Sequence, residues 1–181
     1  MDLTVRAMRP GDARAFVEVH RAAVRGLAAG HYPAEVIEAW APLPVTEAEV
    51  ERLREAPSDE LRLVAERGGR IVGIAAWRPA AGEATACYVE PGEARAGVGS
   101  ALLAAVEAGA RRAGPGALET DSSLNAEPFY RARGYEAVER GTHRLAAGPE
   151  MAAIRMRKRL GGAEGEDSGA ATRLFGCRRF D

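Results

Sequence analysis

The stretch VEPGEARAGVGSALL at 89–103 contains the residue types in this chain best suited to holding an anion. Gly97 and Gly99 have no side chain, so a ligand can approach the backbone closely there. The apolar spacing that follows opens a helix, and the first N–H groups of a helix point outward at the positive end of its dipole. That combination suits a diphosphate, with Arg95 as a cation at the rim. Two rival phosphate loops fit the residues poorly. A Walker loop ends in G-K-[ST], whereas Gly99 is followed by Ser100 and Ala101, which argues against ATP or GTP hydrolysis. A dinucleotide fingerprint needs a third small residue where Leu102 stands and a strand running almost directly into the first glycine. Glu119 meets only its requirement for a downstream acid.

Composition narrows the field further. The chain has 181 residues, about one domain, and 25 Lys plus Arg against 26 Asp plus Glu give a net charge of -1. No basic field is available to hold a nucleic-acid backbone or an anionic membrane. Lys158 is the one lysine among those cations, a bias that reads as composition rather than as a phosphate-binding device. The apolar run IVGIAAW at 71–77 falls well short of the ~18–20 residues of a membrane span. The start MDLTV lacks the basic and apolar regions of a leader, so a cytoplasmic location is expected. Cys87 and Cys177 form no C-x-x-C and have no histidine at metal spacing, so neither a disulfide framework nor a metal site is expected.

These residues must be held by elements that the spacing also defines. LTVRAM at 3–8 alternates as a half-buried strand, and PGDA at 10–13 opens a helix running to about Ala29, with Phe16, Val19, Ala23 and Leu27 on one face. A short helix is expected over 33–40. Thr46 and Glu49 form a capping box that starts another. From Leu61 the period becomes two: LRLVAE, a Gly68-Gly69 turn and RIVGIAAW read as a hairpin, and ATACYV at 84–89 as a third antiparallel strand. An amphipathic helix over 98–113 carries Val98, Leu102, Ala105 and Val106 in a stripe. A strand at 117–121, a polar turn, a helix over about 126–133 capped by Gly134, and strands near 135–145 and 150–158 complete a mixed α+β order. Residues 1–160 form the expected domain, and the polar, glycine-rich 161–181 a flexible tail.

The whole pattern resembles motif A of the GNAT superfamily of acyl-CoA-dependent N-acetyltransferases. In that motif a strand ending V-x-P leads through [QR]-x-x-G-x-[GA] into a helix beginning A-L-L. Here the match is Val89-Glu90-Pro91, then Ala94 to Gly99, then Ala101-Leu102-Leu103, with Ala94 standing where the family usually has Gln or Arg. SSLNAEPFYRARGYE at 122–136 is similar to motif B, and Tyr130 takes the place of the tyrosine that commonly protonates the departing CoA thiolate. HRAAVRGLAAGHYPAEVIEAW at 20–40 resembles the helix pair that roofs the acceptor pocket in small bacterial members.

The resemblance implies an α/β fold whose central mixed, mostly antiparallel sheet is flanked by helices and splits at an acyl-CoA cleft. It implies acetyl-CoA as co-substrate, contacted by Tyr88, Val89, Arg95, Ala96, Gly97, Val98, Gly99, Ser100, Asn125 and Tyr130. It also implies a pocket lined by His31, Tyr32 and Trp40. Acyl transfer to an amine needs a base, an oxyanion donor and an acid for the thiolate. By the resemblance these are Glu83, the Val89 N–H and Tyr130, with Glu119 and Asp121 as alternative bases. The expected activity is direct transfer to an amine of a small molecule or protein. An acyl-CoA-binding module without turnover is the alternative, a dinucleotide-binding domain a more distant third, and a homodimer is left open.

Overall fold

In a computed structural model, residues 2–55, 59–145 and 148–161 are described; most of the expected tail lies outside them. The strands are β1 (Leu3–Ala7), β2 (Leu61–Arg67), β3 (Arg70–Arg78), β4 (Glu83–Val89), β5 (Ala117–Ser123), β6 (Glu136–Arg144) and β7 (Glu150–Arg159). The helices are α1 (Ala13–Ala23), α2 (Ala34–Trp40), α3 (Glu47–Glu55), α4 (Val98–Ala113) and α5 (Glu127–Arg131). The sheet order is β1-β2-β3-β4-β5-β7-β6, antiparallel everywhere except between β4 and β5. That pair is parallel because α4 carries the chain back across the sheet between them, the connection a parallel pair requires.

Local chemistry explains most boundaries. Gly68 and Gly69 both have positive φ, 59° and 78°, which lets a two-residue turn join β2 to β3. Thr46 and Glu49 cap α3 reciprocally: the Thr46 N–H donates to Glu49 Oε2 at 2.9 Å and the Glu49 N–H to Thr46 Oγ1 at 3.3 Å. One expectation needs correction. The first helix does not run evenly to Ala29, because Val24–Ala28 form a π turn after α1. The extra residue in that turn advances the buried face, so Val24 and Ala28 are inside while Leu27 is 36% exposed.

Three apolar clusters hold the layers together. The largest lies between the sheet and α4 with α5, and includes Val72, Trp77, Val98, Leu102, Leu103, Val106, Leu118, Tyr130 and Tyr135. On the opposite face Phe16 and Val19 of α1 pack on Val64, Ile74, Ala76 and Ala86. A third joins Val24, Ala28, Tyr32, Val36, Ile37 and Ala41 to Leu145 and Met151.

The sheet is parted in its middle. Beyond the one register pair Glu83↔Glu119, β4 and β5 make no further ladder contact. The junction is pinned by the Glu119 N–H donating to the Gly82 carbonyl at 2.8 Å. Gly82 sits so close to the next strand that a Cβ there would lie 3.0 Å from the Ala117 carbonyl oxygen.

α4 seats on the sheet through a second glycine. A Cβ on Gly73 would lie 2.6 Å from Val98 Cγ1 and 2.9 Å from Leu102 Cδ1. Gly73→Ala is therefore expected to lift the start of α4 and cost about 1–3 kcal/mol, as overpacking does. By thermal unfolding the Tm should fall by about 2–12 °C; an unchanged Tm would show that α4 does not rest there.

Candidate active site

Backbone alternation decides what the gap presents. The Glu90 N–H donates to the Val72 carbonyl of β3 at 2.9 Å. Successive N–H groups of a strand point to opposite sides, so those of Val89 and Cys87 face the other way, into the space that β5 vacates. Two unpaired strand amides in a row along one edge are donors for a ligand lying in the gap.

At the mouth of the gap lies the loop expected from the sequence to hold an anion. The loop after β4 turns through a short 3₁₀ segment, Pro91–Glu93, then through Arg95 at φ 64° and Gly97 at φ 85°, both left-handed. α4 then starts with no side chain capping it, leaving its first amides to the solvent or a ligand. Gly99 is small for a reason: a Cβ there would lie 3.2 Å from Phe129 of α5. The expected rim cation Arg95 is exposed. A cation that sequence reasoning missed lies deeper. Arg133 follows α5, its guanidinium lies 4.3 Å from the centroid of the Phe129 ring, and it donates to Ser100 Oγ in the first turn of α4.

Tyr130 is 5% exposed and packs edge-on against Phe129 and Tyr135, at 5.1 and 5.3 Å between ring centroids. Burial pushes its phenol well above the ordinary 10.0, the nearby Cys87 adds to this, and a hydrogen bond with Thr120 opposes it. The Cys87 thiol is also pushed up, to about 12, by burial, with Arg133 opposing. Both groups therefore keep their protons at neutral pH. Asn125 Oδ1 is buried with no hydrogen-bond partner among the described residues.

The gap opens on the α1 side into a cleft of about 690 Å³, walled by His20, Trp40 and Tyr88 with Glu83, Glu119, Asp121 and Tyr130. Its carboxylates are compensated: Arg78 lies 3.7 Å from Glu83, Arg155 3.3 Å from Asp121 and Arg157 3.6 Å from Glu119. Of the three residues expected to line an acceptor pocket, Trp40 lies on this wall. Tyr32 is buried behind it with its hydroxyl engaged, and His31 is exposed. His20 was passed over, although its spacing of four from Phe16 puts it on the inward face of α1. Its ring meets Tyr88 edge-on at 4.6 Å, and Arg21 Nη1 lies 3.3 Å from Nδ1. A guanidinium can only donate, so Nδ1 accepts and the proton sits on Nε2. Among the described residues no group of three or more His, Cys, Asp or Glu is placed to hold a metal, and no helix is long and apolar enough to cross a membrane.

Comparison with known proteins agrees with this geometry. Residues 28–160 match the family model for the acetyltransferase (GNAT) domain. A solved GCN5-related N-acetyltransferase from Rhodopseudomonas palustris superposes with TM-score 0.79 at 29% identity, over 88% of this chain and 96% of that one. PaiA N-acetyltransferase from Thermoplasma acidophilum, solved with coenzyme A, gives 0.69 at 20%, over 88% and 99%. The ribosomal-protein-S18-alanine N-acetyltransferase of Escherichia coli gives 0.65 at 18%, over 93% and 100%. These last two speak to the fold. No curated protein matches the sequence.

Burial brings His20 from its ordinary 6.5 down to about 3, with the Arg21 charge adding to the shift and Glu49 opposing it. The unfolded chain thus takes up a proton at His20 below about pH 6.5 that the folded chain refuses until about pH 3. The stability contribution is full above the first value and is lost as pH falls toward the second. In thermal scans His20→Gln should flatten the loss of Tm between about pH 7 and 4. An identical slope in both proteins would mean that His20 titrates freely.

Proposed function

We propose that this chain, which belongs to the GNAT acetyltransferase family, transfers an acetyl group from acetyl-CoA directly to an amine of a small molecule or protein in a ternary complex, in the cytoplasm. The observation that carries the reading is the gap between β4 and β5, with unpaired strand amides along one edge and the uncapped start of α4 at its mouth. A diphosphate matches the mouth, where the amides of residues 97–100 open α4 without a side-chain cap and Arg133 reaches Ser100 Oγ. A pantetheine arm matches the gap: its amides can bond the β4 edge, and Asn125 Oδ1 offers a buried acceptor.

The position of the acid sets the depth of the reaction. Tyr130 interacts with Thr120 and Cys87, so the departing sulfur belongs near Cys87. The Cys87 N–H is then the donor nearest the thioester carbonyl, and the Val89 N–H, assigned that role from the sequence, is left to the pantetheine chain. Tyr130, protonated throughout the neutral range, gives its proton to the thiolate. Glu83 lies four residues from Cys87, about 13 Å at roughly 3.3 Å per residue, and draws a proton from the amine through water. Asp121 and Glu119 on β5 are alternatives. The Cys87 thiol remains protonated, which favours transfer straight to the amine over an acyl-cysteine intermediate.

Four measurements test this. Thiol release from acetyl-CoA with a panel of amines is expected to find at least one acceptor; CoA binding with no release by any amine would make the chain a binding module. Tyr130→Phe should lower kcat by about 10²-fold or more, and E83Q should lower kcat/KM by about 10²-fold or more. Wild-type activity in either variant removes that residue from the mechanism. Arg133→Gln should weaken CoA but not pantetheine, which lacks phosphates; equal affinity for CoA in both proteins would return the phosphate contact to the amides alone.

A further inference from the structure

The two arms of the parted sheet are bridged by something other than a ladder. The segment from His20 to Trp40 lies across them, and it is fastened at both ends. On the β4 side, His20 meets Tyr88 at 4.6 Å and Trp40 meets it at 6.3 Å, both edge-on. On the same side Gly26 of the π turn lies against the loop that leaves β4, where a Cβ would come 2.5 Å from Pro91 Cγ.

On the β5 side the fastening is one hydroxyl. Tyr32 Oη accepts from the Leu124 N–H at 2.7 Å and donates to the Ala152 carbonyl at 2.8 Å. Leu124 is the first residue beyond β5, in the turn that leads to Asn125 and Tyr130, and Ala152 belongs to β7, the partner of β5. The ring is 8% exposed. It reaches the other fastening through its edge-on contact with Trp40 at 5.6 Å. The path from one arm to the other is therefore Leu124 and Ala152, Tyr32, Trp40, Tyr88.

We propose that residues 20–40 act as a strut that sets the width of the gap between β4 and β5, and that the Tyr32 hydroxyl is its attachment to the β5 arm. Tyr32 is then a positioning residue: it touches no reacting atom, but holds the turn that carries Asn125 and Tyr130 at a fixed distance from the β4 edge. Two features of the fold require such a device. The sheet itself couples the arms only at Glu83↔Glu119, a hinge at one end of the gap. Packing alone is a poor spacer, because apolar contacts tolerate sliding whereas a pair of hydrogen bonds to one buried hydroxyl fixes both direction and length.

The inference rests on the acetyl-CoA reading above, and the test separates the two. Coenzyme A enters the gap with its pantetheine arm, whereas 3′-phosphoadenosine 5′-diphosphate occupies only the mouth. By calorimetry, Tyr32→Phe should bind coenzyme A about tenfold more weakly while its affinity for the nucleotide stays within about twofold. Val64→Ala, in the core behind β2 and destabilising by truncation, should change neither, which removes general loss of stability as the cause. Wild-type affinity for coenzyme A in Tyr32→Phe, or equal loss for both ligands, overturns the strut. Should Tyr32→Phe fail to fold, Trp40→Leu removes the ring that links Tyr32 to Tyr88 and must show the same split. Failure of the wild-type protein to bind coenzyme A would sink the acetyl-CoA reading instead. Hydrogen exchange on the free protein then decides the strut: Tyr32→Phe should speed exchange at Leu124 and also at Tyr88 and Glu90 on the other arm. Faster exchange confined to Leu124 contradicts it.

Discussion

The parting of β4 from β5 is the constraint on which the rest of the molecule depends. A sheet gains by pairing every strand edge, and an interior edge left unpaired keeps donors and acceptors that cost roughly 1–3 kcal/mol each when buried dry. This chain accepts that cost along the inner edge of β4, at Cys87 and Val89, and surrounds it with elements that hold the gap open. Gly82 lets the arms meet at one end and no further. α4 packs across the gap on one face, in the cluster that joins Val98 and Leu102 to Leu118 of β5, and the roof from His20 to Trp40 spans it on the other. An unpaired edge kept apart by packing on both sides has its donors set out before any ligand arrives.

Electrostatics follow the same plan. The chain carries almost no net charge, and the cleft repeats that balance, each wall carboxylate lying within 4 Å of an arginine. Burial favours the neutral form of the groups along the gap and cleft: it pushes Tyr130 and Cys87 up and His20 down. At the mouth stand the uncapped first turn of α4 and Arg133 stacked on Phe129. A low-dielectric site lined with neutral donors strengthens hydrogen bonds to charge that develops during acyl transfer.

Local chemistry was legible in the residues. The Gly68-Gly69 hairpin, the Thr46–Glu49 cap, the glycine loop and the order of strands and helices all follow from interactions between near neighbours, and the structure has them where the spacing predicts. What required the fold is long-range. β7 inserts between β5 and β6, which no local period encodes. The π turn moves burial from Leu27 to Ala28, because one inserted residue is invisible to a 3.6-residue count. Arg95 adjoins the glycines and was readable as a rim cation; Arg133, distant in sequence, is brought to the first turn of α4 only by the fold. Tyr32 resembled pocket lining as an aromatic on the roof; its hydroxyl bonds partners far along the chain. His20 was hidden by its type, since a histidine on an apolar stripe usually reads as packing.

The central claim is that backbone amides of the parted strand and of the first turn of α4 grip an acylated carrier. Titration of ¹⁵N-labelled protein with acetyl-CoA, followed by amide chemical shifts, addresses it most directly. The account requires the largest shifts at Cys87, Val89 and residues 97–100, with smaller ones at Asn125. Shifts absent from those amides, or gathered on a different surface, would contradict it.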